Sequence, residues 1–269
     1  MQDTSQDPTI QQLFDLTGKT ALVSGASGWL GSRFACALAE AGASVVVSSR
    51  DASRAKQVAG ALPSPVGAPH HGVALDHMDT ESCQRGFNDA VDAAGKVDIL
   101  VNNGLEAKSG PWDTATGDDF TLLQANTTGY FLLARHLHNH IVSRGGEGNV
   151  IMLGSMYGQV ASYPDAYDFE GGSASPAWYH AHKGGVIHLT RHLAAYWAKD
   201  QVRVNCLSPG PFPAPGINKE MARRLCTKCP MNRMGKPFEL KGALLLLASD
   251  AGSYITGQNI TIDGGWLAW

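Results

Sequence analysis

The sequence is short of several things, and each shortage excludes something. Long apolar runs are missing. The best stretch, around Leu244–Ala248, falls far short of the about 20 residues a membrane-spanning helix needs. No charge of one sign dominates: Lys and Arg total 21 against 24 Asp and Glu, for a net charge of −3. That balance gives no electrostatic case for nucleic acid or an anionic membrane as a partner. Cysteine is scarce, with Cys36, Cys83, Cys206, Cys226 and Cys229. The number is odd and most lie in apolar surroundings, so reduced thiols in a cytoplasm are expected. C-T-K-C (226–229) has the spacing of a redox or zinc half-site. It has no second pair and follows no strand–helix start, so it is read as incidental. The amino end, MQDTSQDPTI, has neither a basic start nor an apolar stretch, and no signal peptide is expected. Repeats and low-complexity segments are lacking as well.

What is present suits one large α/β domain. The 269 residues are 43% hydrophobic and 17% charged, enough for a sizeable core. After a polar arm (1–16) comes a regular alternation. Strands are expected at 20–24, 44–49, 72–75, 97–102, 149–153, 202–207 and 259–263. Helices are expected at 29–41, from Asp51 or Ser53, at 79–94, at 117–142, from Tyr179 to about Lys199, and near 238–248, with a loop-rich stretch at 211–237. The strands are continuous Val/Ile/Leu runs, the pattern of strands covered on both faces. Alternating strand and helix with right-handed crossovers gives a single Rossmann-type domain (17–269). Its doubly wound parallel sheet carries helices on both faces. In such a sheet ligands bind beyond the carboxyl ends of the strands.

Candidate functional residues fall at those ends. S-G-A-S-G-W-L-G (24–31) joins the first strand to a helix. Its glycines, Gly25, Gly28 and Gly31, allow a tight turn and bring backbone and helix N-terminus to a pyrophosphate. Ser27, Trp29 and Leu30 complete this candidate cofactor turn. The second strand ends in Ser48, Ser49 and Arg50, without the acidic residue that would accept the ribose 2′-hydroxyl of NAD. Arginine matches a phosphate, which favours NADP and leaves NAD possible. Tyr179 and Lys183 lie four apart in a helical segment, so phenol and ammonium share one face.

Taken in order, these motifs resemble the short-chain dehydrogenase/reductase family over nearly the whole chain from about residue 16. The pieces are S-G-A-S-G-W-L-G, Asp76 after the third strand, V-N-N-G (101–104), Asn126, Ser155, Tyr179-x-x-x-Lys183, S-P-G (208–210) and I-D-G-G-W (262–266). L-F-D-L-T-G-K-T-A-L-V and the ending D-G-G-W-L-A-W look most like its sugar-acid, gluconate 5-dehydrogenase-like branch. The resemblance implies hydride transfer between a secondary alcohol and a ketone with NAD(P), on a sugar, sugar acid or similar polar substrate. It implies Tyr179 as the acid or base. Lys183 would lower the phenol's pKa and hold the nicotinamide ribose. Ser155 would bind the substrate oxygen, and Asn126 would hold a water in the proton relay. Asp76 would meet the adenine, Asn103 the adenosine side of the pocket, and Pro209 with Gly210 the nicotinamide. It also implies a homo-oligomer, dimer or tetramer. A 3-oxoacyl or general carbonyl reductase and a non-catalytic dinucleotide sensor are the alternatives.

The sequence departs from the family in places. Trp29 stands where the family's middle glycine falls, N-N-A-G is N-N-G-L, and His182 precedes the lysine where a small residue is usual. A longer gap before Tyr179 forms an insertion (160–178), expected at the mouth of the active site as a specificity element, or else as a subunit contact or a surface excursion. It carries Tyr163, Asp165, Tyr167, Asp168, Phe169 and Glu170. The 211–237 stretch corresponds to the family's substrate-covering loop. Its basic residues, Lys219, Arg223, Arg224, Lys228 and Arg233, suit either a substrate anion or a solvated helix face. His136/His140 and His188/His192 have metal-ligand spacing but no accompanying carboxylate motif, and no metal site is expected.

Overall fold

The computed structural model describes residues 7–108, 110–169 and 174–269. Among them, strands β1 (Thr20–Val23), β2 (Ser44–Ser49), β3 (His71–Ala74), β4 (Ile99–Asn102), β5 (Gly148–Leu153), β6 (Val202–Pro209) and β7 (Asn259–Ile262) form one sheet in the order 3-2-1-4-5-6-7. Every pairing is parallel, with Ala21 opposite Val45 on one side and Ile99 on the other. The helices are α1 (Ile10–Phe14), α2 (Gly31–Glu40), α3 (Ala52–Gly60), α4 (Thr80–Ala94), α5 (Gly117–Arg144), α6 (Pro164–Tyr167), α7 (Ala177–Trp197), α8 (Lys219–Lys228) and α9 (Lys241–Ala248).

The continuous apolar strands feed two separate cores. In β1, β2 and β4 the side chains of Leu22, Val46 and Leu100 point to one face, where they pack with residues of α4, α5 and α7. Their neighbours Ala21, Val23, Val45, Val47, Ile99 and Val101 point to the other face, against α2 and α9. Successive side chains alternate across a strand, so a strand with helices on both sides is apolar on both faces.

Local chemistry sets the helix ends. Asp51 caps α3 through the amides of Ser53 and Arg54, and Asp79 caps α4 through Ser82. A capping box of Thr116 and Asp119 starts α5. Gly95, at φ 79°, closes α4 in the left-handed conformation. Two stretches hold more order than the sequence suggested. The polar arm contains α1 and ends in Leu16, which is buried and donates its N–H to the Ala41 carbonyl. The 211–237 stretch contains α8, capped by Asn218. This helix buries only Leu225.

The chain changes direction between β1 and β4, where the crossovers diverge. The crevice beyond their carboxyl ends is the place for a ligand in such a sheet.

Candidate active site

The Gly-rich turn is packed so tightly that Gly25 and Gly31 are obligatory. Gly25 has φ 62°, and a Cβ on Gly31 would lie 2.2 Å from the Gly25 carbonyl oxygen. Asn103, at the end of β4, donates its side-chain amide to the carbonyls of Ser24 (3.1 Å) and Gly25 (3.2 Å). That donor group fastens the turn, beside the adenosine side of the pocket where the resemblance put Asn103. Leu30 leaves the start of α2 without a side-chain cap, and Gly28 is exposed beside it. Free amides at a helix N-terminus together with an open glycine fit the pyrophosphate of a dinucleotide. Trp29 lies at this helix start, with the Arg33 guanidinium 5.9 Å from its ring. Ser27 and Ser49 face each other, with hydroxyls 3.3 Å apart, and Arg50 follows Ser49. Asp76 accepts the N–H of Met78, and Gly210, after Pro209, packs on the Asp263 backbone.

The catalytic candidates converge at the carboxyl ends of β5 and β6. Ser155 is extended and buried, and its hydroxyl accepts the N–H of Tyr157 at 3.1 Å. The turn after it approaches α7 closely: a Cβ on Gly158 would lie 2.6 Å from the Lys183 backbone. This contact brings Ser155 beside Tyr179. Lys183, only 3% exposed, donates from Nζ to the Leu153 carbonyl at 2.7 Å. Its ammonium lies 5.8 Å from the centre of the Tyr179 ring. Burial pushes the Lys183 pKa down to about 8. The Tyr179 phenol is raised by desolvation, with Ser155 hydrogen bonding pulling the other way. Lys183 is not among the groups that shift this phenol, its ammonium being engaged with the Leu153 carbonyl.

The side chain of Asn126 has a full set of protein partners. It is fully buried in α5, and its oxygen accepts the Glu106 N–H (2.9 Å) while its amide donates to the carbonyls of Glu106 (3.0 Å) and Leu122 (2.9 Å). The fourth contact is His77 Nε2, 3.0 Å from the Asn126 oxygen, which therefore carries the proton. No side-chain position remains for a water. Asn126 pins the loop after β4. His77 explains the N-N-G-L departure, since a Cβ on Gly104 would sit 2.8 Å from His77 Nδ1. His182, a large residue at a usually small position, is fully buried beside Thr127, 2.9 Å from Nδ1. Thr127 gives its own proton to Leu123, so His182 donates from Nδ1. Burial depresses its pKa to about 3.

A cavity of about 460 Å³ opens in front of Ser155 and Tyr179. Met156, Trp178, Phe212, Ile217, Met221, Leu225 and Met234 give its wall an apolar character. Trp178 donates from Nε1 to the Lys108 carbonyl, and the Lys108 ammonium meets Asp119 at 2.7 Å. Above the cavity, insertion and α8 are fastened together. Arg224 donates to the carbonyls of Asp165 and Asp168 (both 2.7 Å), and Lys228 pairs with Asp165. The Arg224 guanidinium lies 5.4 Å from the Phe169 ring, and the Lys228 ammonium 4.8 Å from that of Tyr163. Tyr167 joins Tyr157, their hydroxyls 2.6 Å apart. Glu170 lies outside the described residues. Most of the basic residues expected to suit a substrate anion are thus occupied: Arg223 and Arg224 by Glu220, Lys228 by Asp165 and Arg233 by Glu239.

Among the described residues no three His, Cys, Asp or Glu side chains come together as a metal site. His188 and His192 are exposed, and His138 pairs with Asp200 instead. The five cysteines are free. None of the described helices is long and apolar enough to cross a membrane.

This sheet, turn and Ser–Tyr–Lys cluster define a nicotinamide-dependent oxidoreductase. The chain belongs to the short-chain dehydrogenase/reductase family, and residues 25–267 match the family model described as "Enoyl-(Acyl carrier protein) reductase". It is 33% identical to the D-arabinitol 2-dehydrogenase (ribulose-forming) of Scheffersomyces stipitis, over 95% of this chain and 96% of that one. It is 34% identical to the NADP-dependent mannitol dehydrogenase of Hypocrea jecorina, over 94% of each. A crystal structure of a gluconate 5-dehydrogenase from Burkholderia cenocepacia, in complex with NADP and tartrate, superposes with a TM-score of 0.87. The identity is 28%, over 97% of this chain and 100% of that one. The chain acts on CH–OH groups, interconverting alcohol and ketone with a nicotinamide dinucleotide.

Sequence reasoning missed His77, Glu106, Thr127 and Arg54. Arg54 reaches from α3 to the Ser27 carbonyl (3.1 Å), adding a second guanidinium near Arg50. The glycine in N-N-G-L was the one available signal for His77.

Proposed function

We propose that the chain is an NADP-preferring dehydrogenase/reductase of a small hydroxylated substrate of the polyol or sugar-acid kind. The observation that carries the reading is the placing of Ser155 and Tyr179 in the wall of one cavity, with the ammonium of buried Lys183 beside the Tyr179 ring. The dinucleotide supplies or accepts the hydride. Tyr179 gives a proton to the substrate oxygen during reduction and takes it during oxidation. Ser155 donates a hydrogen bond to the same oxygen and steadies its developing charge. Lys183 turns its ammonium to the nicotinamide ribose and favours the phenolate through its charge. Asn126 acts through the loop it pins. Gly25, Ser27, Gly28, Trp29, Leu30 and Gly31 surround the pyrophosphate, Arg50 with Arg54 meets the 2′-phosphate, Asp76 the adenine, and Pro209 with Gly210 the nicotinamide. The relatives' names support the polyol or sugar-acid class, and α8 with the 160–178 insertion covers it. The working form is a homo-oligomer in a cytoplasm, in keeping with the free thiols.

The apolar cavity wall favours a second reading, a general carbonyl reductase whose substrate carries an apolar arm. Steady-state rates with NADP and NAD on polyols, sugar acids, and alkyl and aryl ketones decide between them, run beside Tyr179→Phe. Turnover of polyols that falls about 10²- to 10⁴-fold in the variant supports the first reading. Turnover confined to apolar ketones supports the second. Turnover that survives the variant refutes the role of Tyr179. Tight dinucleotide binding without turnover on any class would return the chain to a sensor.

A further inference from the structure

Arg50 and Glu106 face each other across the cofactor crevice. Arg50 follows β2 and Glu106 lies on the loop after β4, and these strands flank β1 in the sheet. Their ion pair, Nη1 to Oε2 at 2.9 Å, therefore spans the carboxyl end of β1, where the Gly-rich turn begins. The side chains are 69% and 42% exposed, so the pair is loosely held. Glu106 is fixed to the fold by its main chain, through its two bonds to Asn126. Its carboxylate can swing without moving that anchor. Arg54, the second guanidinium at this end, forms no ion pair among the described residues.

We propose that Glu106 is a specificity-determining residue: its carboxylate competes with the cofactor's 2′-phosphate for Arg50 and so sets the preference between NADP and NAD. The inference rests on the NADP reading above. A carboxylate and a phosphate monoester offer the guanidinium the same paired oxygens, and the phosphate carries more charge. A ligand with the 2′-phosphate exchanges partners with Arg50 and must displace Glu106, whose negative charge also opposes it. A ligand with a 2′-hydroxyl leaves the pair intact. Glu106 thereby narrows the gap between the two cofactors.

The test is calorimetric titration of the full chain with 2′,5′-ADP and with 5′-ADP, in the parent, Glu106→Gln, Arg50→Ala and the double variant. Glu106→Gln is expected to tighten 2′,5′-ADP about three- to five-fold, the range of an exposed ion pair, and to leave 5′-ADP within about two-fold. In the Arg50→Ala background the same change is expected to have a smaller effect, because only the direct repulsion between Glu106 and the phosphate is left to remove. Unchanged or weaker 2′,5′-ADP binding by Glu106→Gln overturns the proposal, as does equal tightening of both ligands. If Arg50→Ala binds 2′,5′-ADP as the parent does, the NADP reading itself fails and the proposal falls with it. An unchanged melting temperature for Glu106→Gln separates these outcomes from misfolding.

Discussion

Replacing Lys183 with methionine should make the free protein more stable while abolishing its turnover. Lys183 is a buried cation with one strong partner, the Leu153 carbonyl. Desolvation lowers its pKa from 10.5 to about 8. At about 1.4 kcal/mol per unit, holding the charge inside costs about 3 kcal/mol near pH 7. Methionine has similar volume and no charge, but it leaves the Leu153 carbonyl without that donor, a loss of about 1 kcal/mol. The net gain of about 2 kcal/mol corresponds to about 4–8 °C in melting temperature for a chain of this size. The sign with pH follows from the lowered pKa. Below about pH 8 both folded and unfolded chains hold the proton, and the penalty is complete. Between about 8 and 10.5 only the unfolded chain holds it, so the parent gains stability as pH rises and the advantage of the variant shrinks. Thermal melts of parent and Lys183→Met at pH 6, 7, 8 and 9.5, without cofactor, measure this directly. A variant that melts lower at pH 7, or a difference that does not change with pH, refutes the argument.

Gly104→Ala should cost about 1–3 kcal/mol, because the new methyl meets His77 Nδ1 at 2.8 Å; adding His77→Val should recover most of it in thermal melts. Ser155→Ala should lower kcat about 10²- to 10³-fold while dinucleotide binding, followed by calorimetry, stays within about two-fold. Arg224→Ala should free the carbonyls of Asp165 and Asp168, which limited proteolysis would detect as faster cleavage in 160–169, with KM for the substrate rising more than kcat falls.

The alternation of apolar strands and helices determined the doubly wound sheet before any coordinates, because a strand covered on both sides is apolar on both faces. The order of Gly25–Gly28–Gly31, Ser155, Tyr179 and Lys183 was legible for the same reason: each follows a strand or lies one helical turn from its partner. Helix α8 was not legible, since its ten residues bury only Leu225 and owe their place to the insertion above them. Nor could spacing show what each polar atom binds. The side chain of Asn126 is held by His77, 49 residues away, and by Glu106, which no spacing shows. The spacing of Tyr179 and Lys183 did not show that β5 brings the Leu153 carbonyl to the ammonium. Arg50 was read as a phosphate site, and only the neighbouring positions of β2, β1 and β4 place Glu106 across from it. Sequence periodicity reports which face a residue occupies. Hydrogen-bond partners are set by contacts between distant segments, and those exist only once the sheet is assembled.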